Sequence, residues 1–280
     1  MLTLAPEAMS WIEMESNKNS KSKALFERIL NRLNDPDRDE AREIAERRRQ
    51  EEQHKKDTEL AIQQLKEDNA RKRMAQVKVE RTTPNGLAEA GIPKLYQDIT
   101  FSTVAKRGIP EGIKENYEKV RTYVRLLEEN MKQGTGLFMT GCCGTMKTTL
   151  AVCIMRACFA KGIDAEMICM DTFFSDLLHH KEHYSDEIGK TIAHIERVPM
   201  LVLDDLGSEP YSSKYVLGII ERVLSKRFVE KLPTIITSNK SVLDMLENYP
   251  ERIIDRIKGS MDVMLFQCDS LRLERQICQG

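Results

Sequence analysis

Lys147 and Thr148 stand where the stretch Leu137–Ala151, LFMTGCCGTMKTTLA, passes from a short apolar run through a glycine-containing turn into helical spacing. An ammonium group beside a hydroxyl, at the point where a loop becomes a helix, suits a phosphate chain. In such a loop the backbone N–H groups wrap the phosphates and the lysine neutralises charge at the β and γ positions. The hydroxyl ligates Mg²⁺, and the helix N-terminus adds its dipole and free donors. The candidate nucleotide-binding residues are therefore Gly141, Cys142, Cys143, Gly144, Thr145, Met146, Lys147, Thr148 and Thr149. One position departs from the pattern: glycine is expected immediately before the lysine, and Met146 stands there. Its amide can still face a phosphate, but a side chain has to fit where glycine leaves space.

Two acids follow roughly 57 residues later, in Val198–Gly207, VPMLVLDDLG. Four apolar residues read as a buried strand, with Asp204 and Asp205 at its C-terminal end. Ligands of open parallel sheets gather at that end of the strands, where the phosphate loop also opens. Asp204 is placed to hold the Mg²⁺ that Thr148 touches, and Asp205 to orient or polarise an attacking water. A third stretch, Thr234–Asn239, TIITSN, is a strand that ends in small polar residues. Taken alone, Asn239 reads as a helix cap before Lys240-Ser241. Beside the other two stretches it reads as a polar sensor of the γ-phosphate. Lys147, Asp204, Asp205 and Asn239 form the candidate catalytic set.

The elements that must position these residues alternate between strand and helix character. Strands are expected at Gly136–Thr140, Ala165–Met170, Met200–Leu203, Thr234–Thr237 and Met261–Phe266. Helices are expected at Lys114–Met131, Thr148–Ala160, Thr172–His180, Ser185–Glu196 and Tyr215–Val229. That alternation implies an α/β fold, with a central parallel five-stranded sheet covered on both faces.

The N-terminal part differs. Leu25, Phe26, Ile29, Leu30 and Leu33 recur at helical spacing, Asp35-Pro36 reads as a helix restart, and a charge-dominated helix follows to about Arg73. Its apolar residues are too sparse for a coiled-coil seam. It reads either as a solvated helical linker or as an arm whose Leu25–Leu33 face docks on a partner. Thr82–Gly86, TTPNG, breaks the helix. The expected organisation is a helical, charged arm over residues 1–80 and a nucleotide-binding domain over residues 90–280.

Composition sets further bounds. Among the 280 residues 41% are apolar and 31% charged, with a formal net charge of −1, so any nucleic-acid contact rests on a local patch. Seven cysteines without a Cys-x-x-Cys pair argue against a disulfide scaffold and for a reducing cytoplasm. The acidic start MLTLAPEAMSWIEMES is not expected to be a signal peptide. No apolar run approaches the roughly 18 residues that cross a bilayer. His179, His180 and His183 lack companions at metal-binding spacing and read as a solvated helix end.

The ordered set GCCGTMKTT, LVLDDLG, TIITSN, ERIIDR (Glu251–Arg256) and CDSLR (Cys268–Arg272) resembles the AAA+ ATPases of the bacterial and phage helicase-loader type, DnaC/DnaI. The lead-in AGIPKLYQDITF is similar too, and the resemblance covers about Gly91 to Arg275. It implies the AAA+ P-loop three-layer fold, ATP and Mg²⁺ as cofactors, and named roles. Lys147 and Thr148 would belong to Walker A, Asp204 and Asp205 to Walker B, and Asn239 to sensor 1. Arg256 matches the arginine finger that reaches a neighbouring subunit's γ-phosphate, with Arg252 competing for the part. Arg272 matches the sensor 2 arginine. Ser213, Lys214 and Tyr215 would contact single-stranded DNA, Lys214 by phosphate pairing and Tyr215 or Tyr211 by base stacking. For Tyr215, packing inward is the equal alternative.

The function this implies is ATP-dependent loading or remodelling of a replicative DNA helicase on single-stranded DNA. The arm would bind the helicase, and the chains would self-associate in the ATP state. A transposition helper of the IstB type shares the ATPase motifs. An adaptor that binds nucleotide with little hydrolysis would explain Met146 and the aspartate at position 205, where many relatives have glutamate. A small-molecule kinase would leave Asn239 and Arg256 unexplained.

Overall fold

A computed structural model describes residues 36–179, 186–208 and 214–267, with positions 24, 27, 28 and 31. The apolar face expected over Leu25–Leu33 lies outside these residues, as do Asp35, His180, His183, Tyr211, Ser213, Cys268, Arg272 and Cys278. The chain divides into two compact units, Met1–Asn69 and Ala70–Gly280.

Helix α1 (Pro36–Glu80) carries the charged stretch. Every side chain described from Ile44 to Asn69 is exposed, so local pairs rather than packing support the helix there. Lys56 meets Glu52 at 3.5 Å, and Gln63 donates to Glu67 at 2.7 Å. Each such pair is worth about 0.2–0.5 kcal/mol.

In the second unit, α2 (Pro84–Glu89) starts on a Thr83 cap with proline in its first turn. A 3₁₀ turn (Lys94–Tyr96) and α3 (Phe101–Lys106) lead to α4 (Glu111–Arg125) and α5 (Leu127–Gln133). Sequence periodicity implies one helix over Lys114–Met131, but the chain breaks at Leu126, which is half exposed. The Asn130 side chain donates to the Tyr123 carbonyl at 3.0 Å, taking up a backbone acceptor near the break.

The doubly wound part then runs β1 (Gly136–Gly141), α6 (Lys147–Ala160), β2 (Ala165–Cys169), α7 (Met170–His179) and α8 (Asp186–Ile195). It continues with β3 (Met200–Asp204), α9 (Lys214–Val229), β4 (Thr234–Ser238), α10 (Val242–Asn248), α11 (Glu251–Ser260) and β5 (Met261–Phe266). The strand order is β2-β3-β4-β1-β5, and every described pairing is parallel. Each expected strand falls within one residue of its place.

Side-chain alternation along the strands divides the core. Leu137, Met139, Val202 and Ile235 face a cluster with Ile113 and Val120 of α4 and Leu150 and Ile154 of α6. Phe138, Leu201, Leu203 and Ile236 face the other side, against Phe174, Ile192, Ile220 and Ile253 from the second set of helices. Successive residues of a strand point to opposite faces, so a continuous apolar run feeds both layers. The edge of β2 is not bare: the Met167 amide donates to Ala90 O at 2.8 Å, so the lead-in segment lies along it. Cys153 and Cys158 are buried in the first cluster, and burial pushes both thiols up to about 12. They act as small apolar side chains.

At the strand-start end, Arg227 of α9 is 1% exposed. It donates to the carbonyls of Ile195 (2.9 Å), Val198 (2.7 Å), Pro199 (3.4 Å) and Pro233 (2.7 Å), and to Thr234 Oγ1 (2.8 Å). One guanidinium thus ties the starts of β3 and β4 together. Burial lowers its pKa to about 9, so it stays charged at neutral pH.

Candidate nucleotide-binding site

Parallel pairing sets the ends of β1, β3 and β4 side by side, with Thr140 opposite Ser238 and Leu203 opposite Ile236. The loop after β1 leaves through Gly141, whose φ is +137°. A Cβ there would lie 2.0 Å from the Phe266 carbonyl oxygen, so only glycine passes. Gly144 and Met146 then take φ of 78° and 70°. Met146 therefore holds the left-handed conformation that glycine adopts without cost. Its side chain finds room away from the loop, half buried against the first core cluster.

Helix α6 starts at Lys147, and its first bond to a preceding carbonyl is from the Leu150 amide to Met146 O at 2.9 Å. The amides ahead of Leu150 have no intrahelical acceptor. Lys147 Nζ folds across its own loop, donating to Gly141 O (2.9 Å), Cys142 O (2.7 Å) and Thr145 Oγ1 (3.3 Å). Thr145 in turn donates to Cys142 O at 2.8 Å. Burial lowers the lysine's pKa, against the pull of Asp204 and Asp205.

Thr148 Oγ1 donates to Asp204 Oδ1 at 2.9 Å, so the helix start and the end of β3 meet directly. The second donor to that oxygen is Thr237 Oγ1 of β4, at 2.7 Å. Thr237 also accepts from the Asp205 amide at 2.9 Å. Asp205 stands at φ +62°, and the Asn239 side-chain amide donates to its carboxylate. One threonine thus fixes one acid by its carboxylate and the next by its backbone. Ser238 Oγ extends the hold to Leu206 O at 2.6 Å. Thr237 escapes a motif reading, because an inward-facing threonine in a strand looks like any β-branched core residue.

Burial holds the Asp204 carboxyl above the usual carboxylate range, although the hydroxyls of Thr237 and Thr148 pull it down. A half-buried carboxylate beside a hydroxyl, with no direct ion pair to Lys147, is a set of hard oxygen donors short of positive charge. That donor set suits a divalent cation of the Mg²⁺ kind. Among the described residues, no separate cluster of three or more His, Cys, Asp or Glu is placed to hold a metal.

The remaining candidates lie elsewhere. Lys214 is exposed at the start of α9, while Tyr215 is half buried against the second core cluster, the inward alternative. Arg252 is exposed and bonds Glu221 at 3.2 Å. Arg256 is half buried, with its guanidinium carbon 4.7 Å from the centre of the Phe228 ring. Cys142 and Cys143 are exposed. His194 is paired with Glu166 at 3.5 Å. No described helix is long and apolar enough to cross a membrane.

Comparison with known proteins covers this same region. The family described as IstB-like ATP binding protein matches residues 127–278, a span holding the loop, both acids, Asn239 and Arg256. The replicative helicase loader DnaC of Escherichia coli (strain K12) is 26% identical over 197 residues, 70% of this chain and 76% of that protein. The replicative helicase loader DnaI of Bacillus subtilis (strain 168) is 26% identical over 149 residues, 52% of this chain and 47% of that one. A crystal structure of the DnaC helicase loader matches with a TM-score of 0.55 at 25% identity, over 62% of this chain and all of the other.

Proposed function

The chain belongs to the IstB-like ATP-binding protein family, and from that premise we propose that it is an ATPase that loads or remodels a replicative DNA helicase on single-stranded DNA. The observation that carries the ATPase part is the contact of Thr148 with Asp204 at 2.9 Å, beside the Asn239–Asp205 pair. Similarity to two proteins named replicative helicase loaders supports the partner, and favours a helicase over a transposase.

The chain's residues divide the work. The loop amides and the start of α6 hold the phosphates, and Lys147 exchanges its loop carbonyls for phosphate oxygens. Thr148 and Asp204 would ligate Mg²⁺, which supplies charge neutralisation at the transferring phosphate. Asp205, fixed by Thr237 and Asn239, orients the attacking water and takes its proton. Arg256 of one copy and Arg272 complete the site around the terminal phosphate, which ties hydrolysis to self-association. Ser213 and Lys214 meet single-stranded DNA, while Tyr215 packs inward against the second core cluster. Residues 1–80 form the helicase-binding arm and residues 90–280 the ATPase domain, acting in the cytoplasm.

The test is capture of the host's replicative helicase by the full chain, with and without ATP. The full chain should capture it, and deletion of residues 1–75 should abolish capture while ATP binding persists. Capture by the deleted chain would move the helicase site into the ATPase domain. Failure of the full chain to capture helicase, with capture of a transposase instead, would overturn the loader reading.

A further inference from the structure

We propose that Phe228 is a positioning residue for Arg256: its ring holds the guanidinium by one face and leaves the Nη1 and Nη2 donors for the terminal phosphate bound by a second copy of this chain. The inference rests on the reading of Arg256 as the arginine that acts between copies.

Four arginines lie on α9 and α11, and three are engaged with the chain's own fold. Arg227 gives its donors to four carbonyls and Thr234, Arg222 bonds Glu196 at 2.6 Å, and Arg252 bonds Glu221 at 3.2 Å. Arg256 makes no ion pair among the described residues, and its buried Nε has no hydrogen-bond partner. What holds it is the ring of Phe228, at a distance where a cation over an aromatic face is attracted. An unmet buried donor carries a desolvation cost that a purely structural role does not offset.

The neighbours fit the same purpose. Phe228 is 37% exposed, so part of its ring lies at the surface. Gly259, three residues beyond Arg256 in α11, gives the ring its space: a Cβ at that position would lie 3.2 Å from Phe228 Cε2. Glycine inside a helix is otherwise unfavourable. Stacking fixes the plane of the guanidinium without using its in-plane N–H groups, and those groups grip phosphate oxygens two at a time.

The place of Arg256 argues for a phosphate on another copy. Helix α11 ends where β5 begins, and Met261 pairs with Gly136 at the start of β1. The chain's own phosphate loop leaves the far end of β1, about 16 Å along the strand from the level of Met261. Arg256 also lies on α11, whose apolar side chains pack in the cluster on the sheet face opposite α6.

The experiment measures the full chain's ATP hydrolysis over a range of protein concentrations, together with nucleotide Kd and melting temperature. Phe228→Leu should lower kcat about tenfold, with Kd and melting temperature unchanged. Phe228→Tyr, which keeps the ring face, should retain the rate. Mixing Phe228→Leu with Lys147→Ala should recover activity, because the second protein lends a well-held Arg256 to the first one's intact loop. A normal rate for Phe228→Leu, in a protein where Arg256→Ala is inactive, would overturn the inference and leave Arg256 in its role. A changed Kd in Phe228→Leu would make the ring merely structural and overturn it too. A normal rate for Arg256→Ala would remove the underlying reading and the inference with it.

Discussion

Replacing Met146 by glycine tests whether the loop's backbone or its unusual side chain governs nucleotide binding. Met146 sits at φ 70°, ψ 12°, and a side chain in that region costs about 1–2 kcal/mol that glycine is spared. Glycine gives back about 0.5–1 kcal/mol through the freedom of the unfolded chain. Removing a half-buried methionine side chain costs about 1 kcal/mol more. These terms nearly cancel, so Met146→Gly should change stability by less than about 1 kcal/mol, a melting shift of about 3 °C or less for a unit of this size. The backbone conformation is the same in both proteins, so ATP affinity should change less than about threefold. Met146→Val is the contrasting variant, because a β-branched residue is a genuine outlier at positive φ. It should cost about 2 kcal/mol of stability and at least about tenfold in ATP affinity. Fluorescent-nucleotide titration and thermal melting read both effects. A tenfold or greater gain in affinity for Met146→Gly would refute the reasoning, since the side chain would then be obstructing the phosphate. A neutral Met146→Val would refute it from the other side.

Asp204→Asn should raise the melting temperature of the nucleotide-free protein by a few degrees and abolish the gain from Mg²⁺·ATP. The sign follows from its raised pKa. From about pH 4 up to that raised value the folded chain holds a proton that the unfolded chain has lost, so stability falls as pH rises through the window. The variant should lack that slope in a pH series of melts, and an unchanged slope would exclude Asp204 as its source. Thr237→Val should lower the hydrolysis rate about tenfold while ATP still binds, and Thr237→Ser should restore it; equal rates would mean that the acids hold their geometry unaided. Arg227→Met should cost about 3–5 kcal/mol in denaturant unfolding by stranding four carbonyls, with ATP affinity unchanged at low temperature. A loss below 1 kcal/mol would show that water satisfies them.

The sheet was readable because parallel strands buried on both faces appear as short apolar runs, and VPMLVLDD and PTIITSN have no competing helical period. The break at Leu126 was not readable. It depends on the Asn130 side chain meeting the Tyr123 carbonyl, a contact that leaves the helical spacing intact. Within the site, spacing pointed to the loop, the acids and Asn239, because charged and polar residues at strand ends stand out against the core. Thr237 did not stand out, and neither did Arg227, whose partners are backbone carbonyls that carry no signature in the sequence. The conformation of Met146 lay between these cases. Departure from the glycine pattern marked the position, but only the backbone angle shows that a methionine bends there as a glycine would.

The central claim is that Lys147 and the loop around it bind the phosphates of ATP. Calorimetric titration of ATP with Mg²⁺ into the full chain and into Lys147→Ala tests it most directly. The native chain should bind one nucleotide per copy, and the variant should lose at least about 100-fold in affinity with its melting temperature retained. Equal affinity in the two proteins would contradict the phosphate-loop assignment and everything built on it.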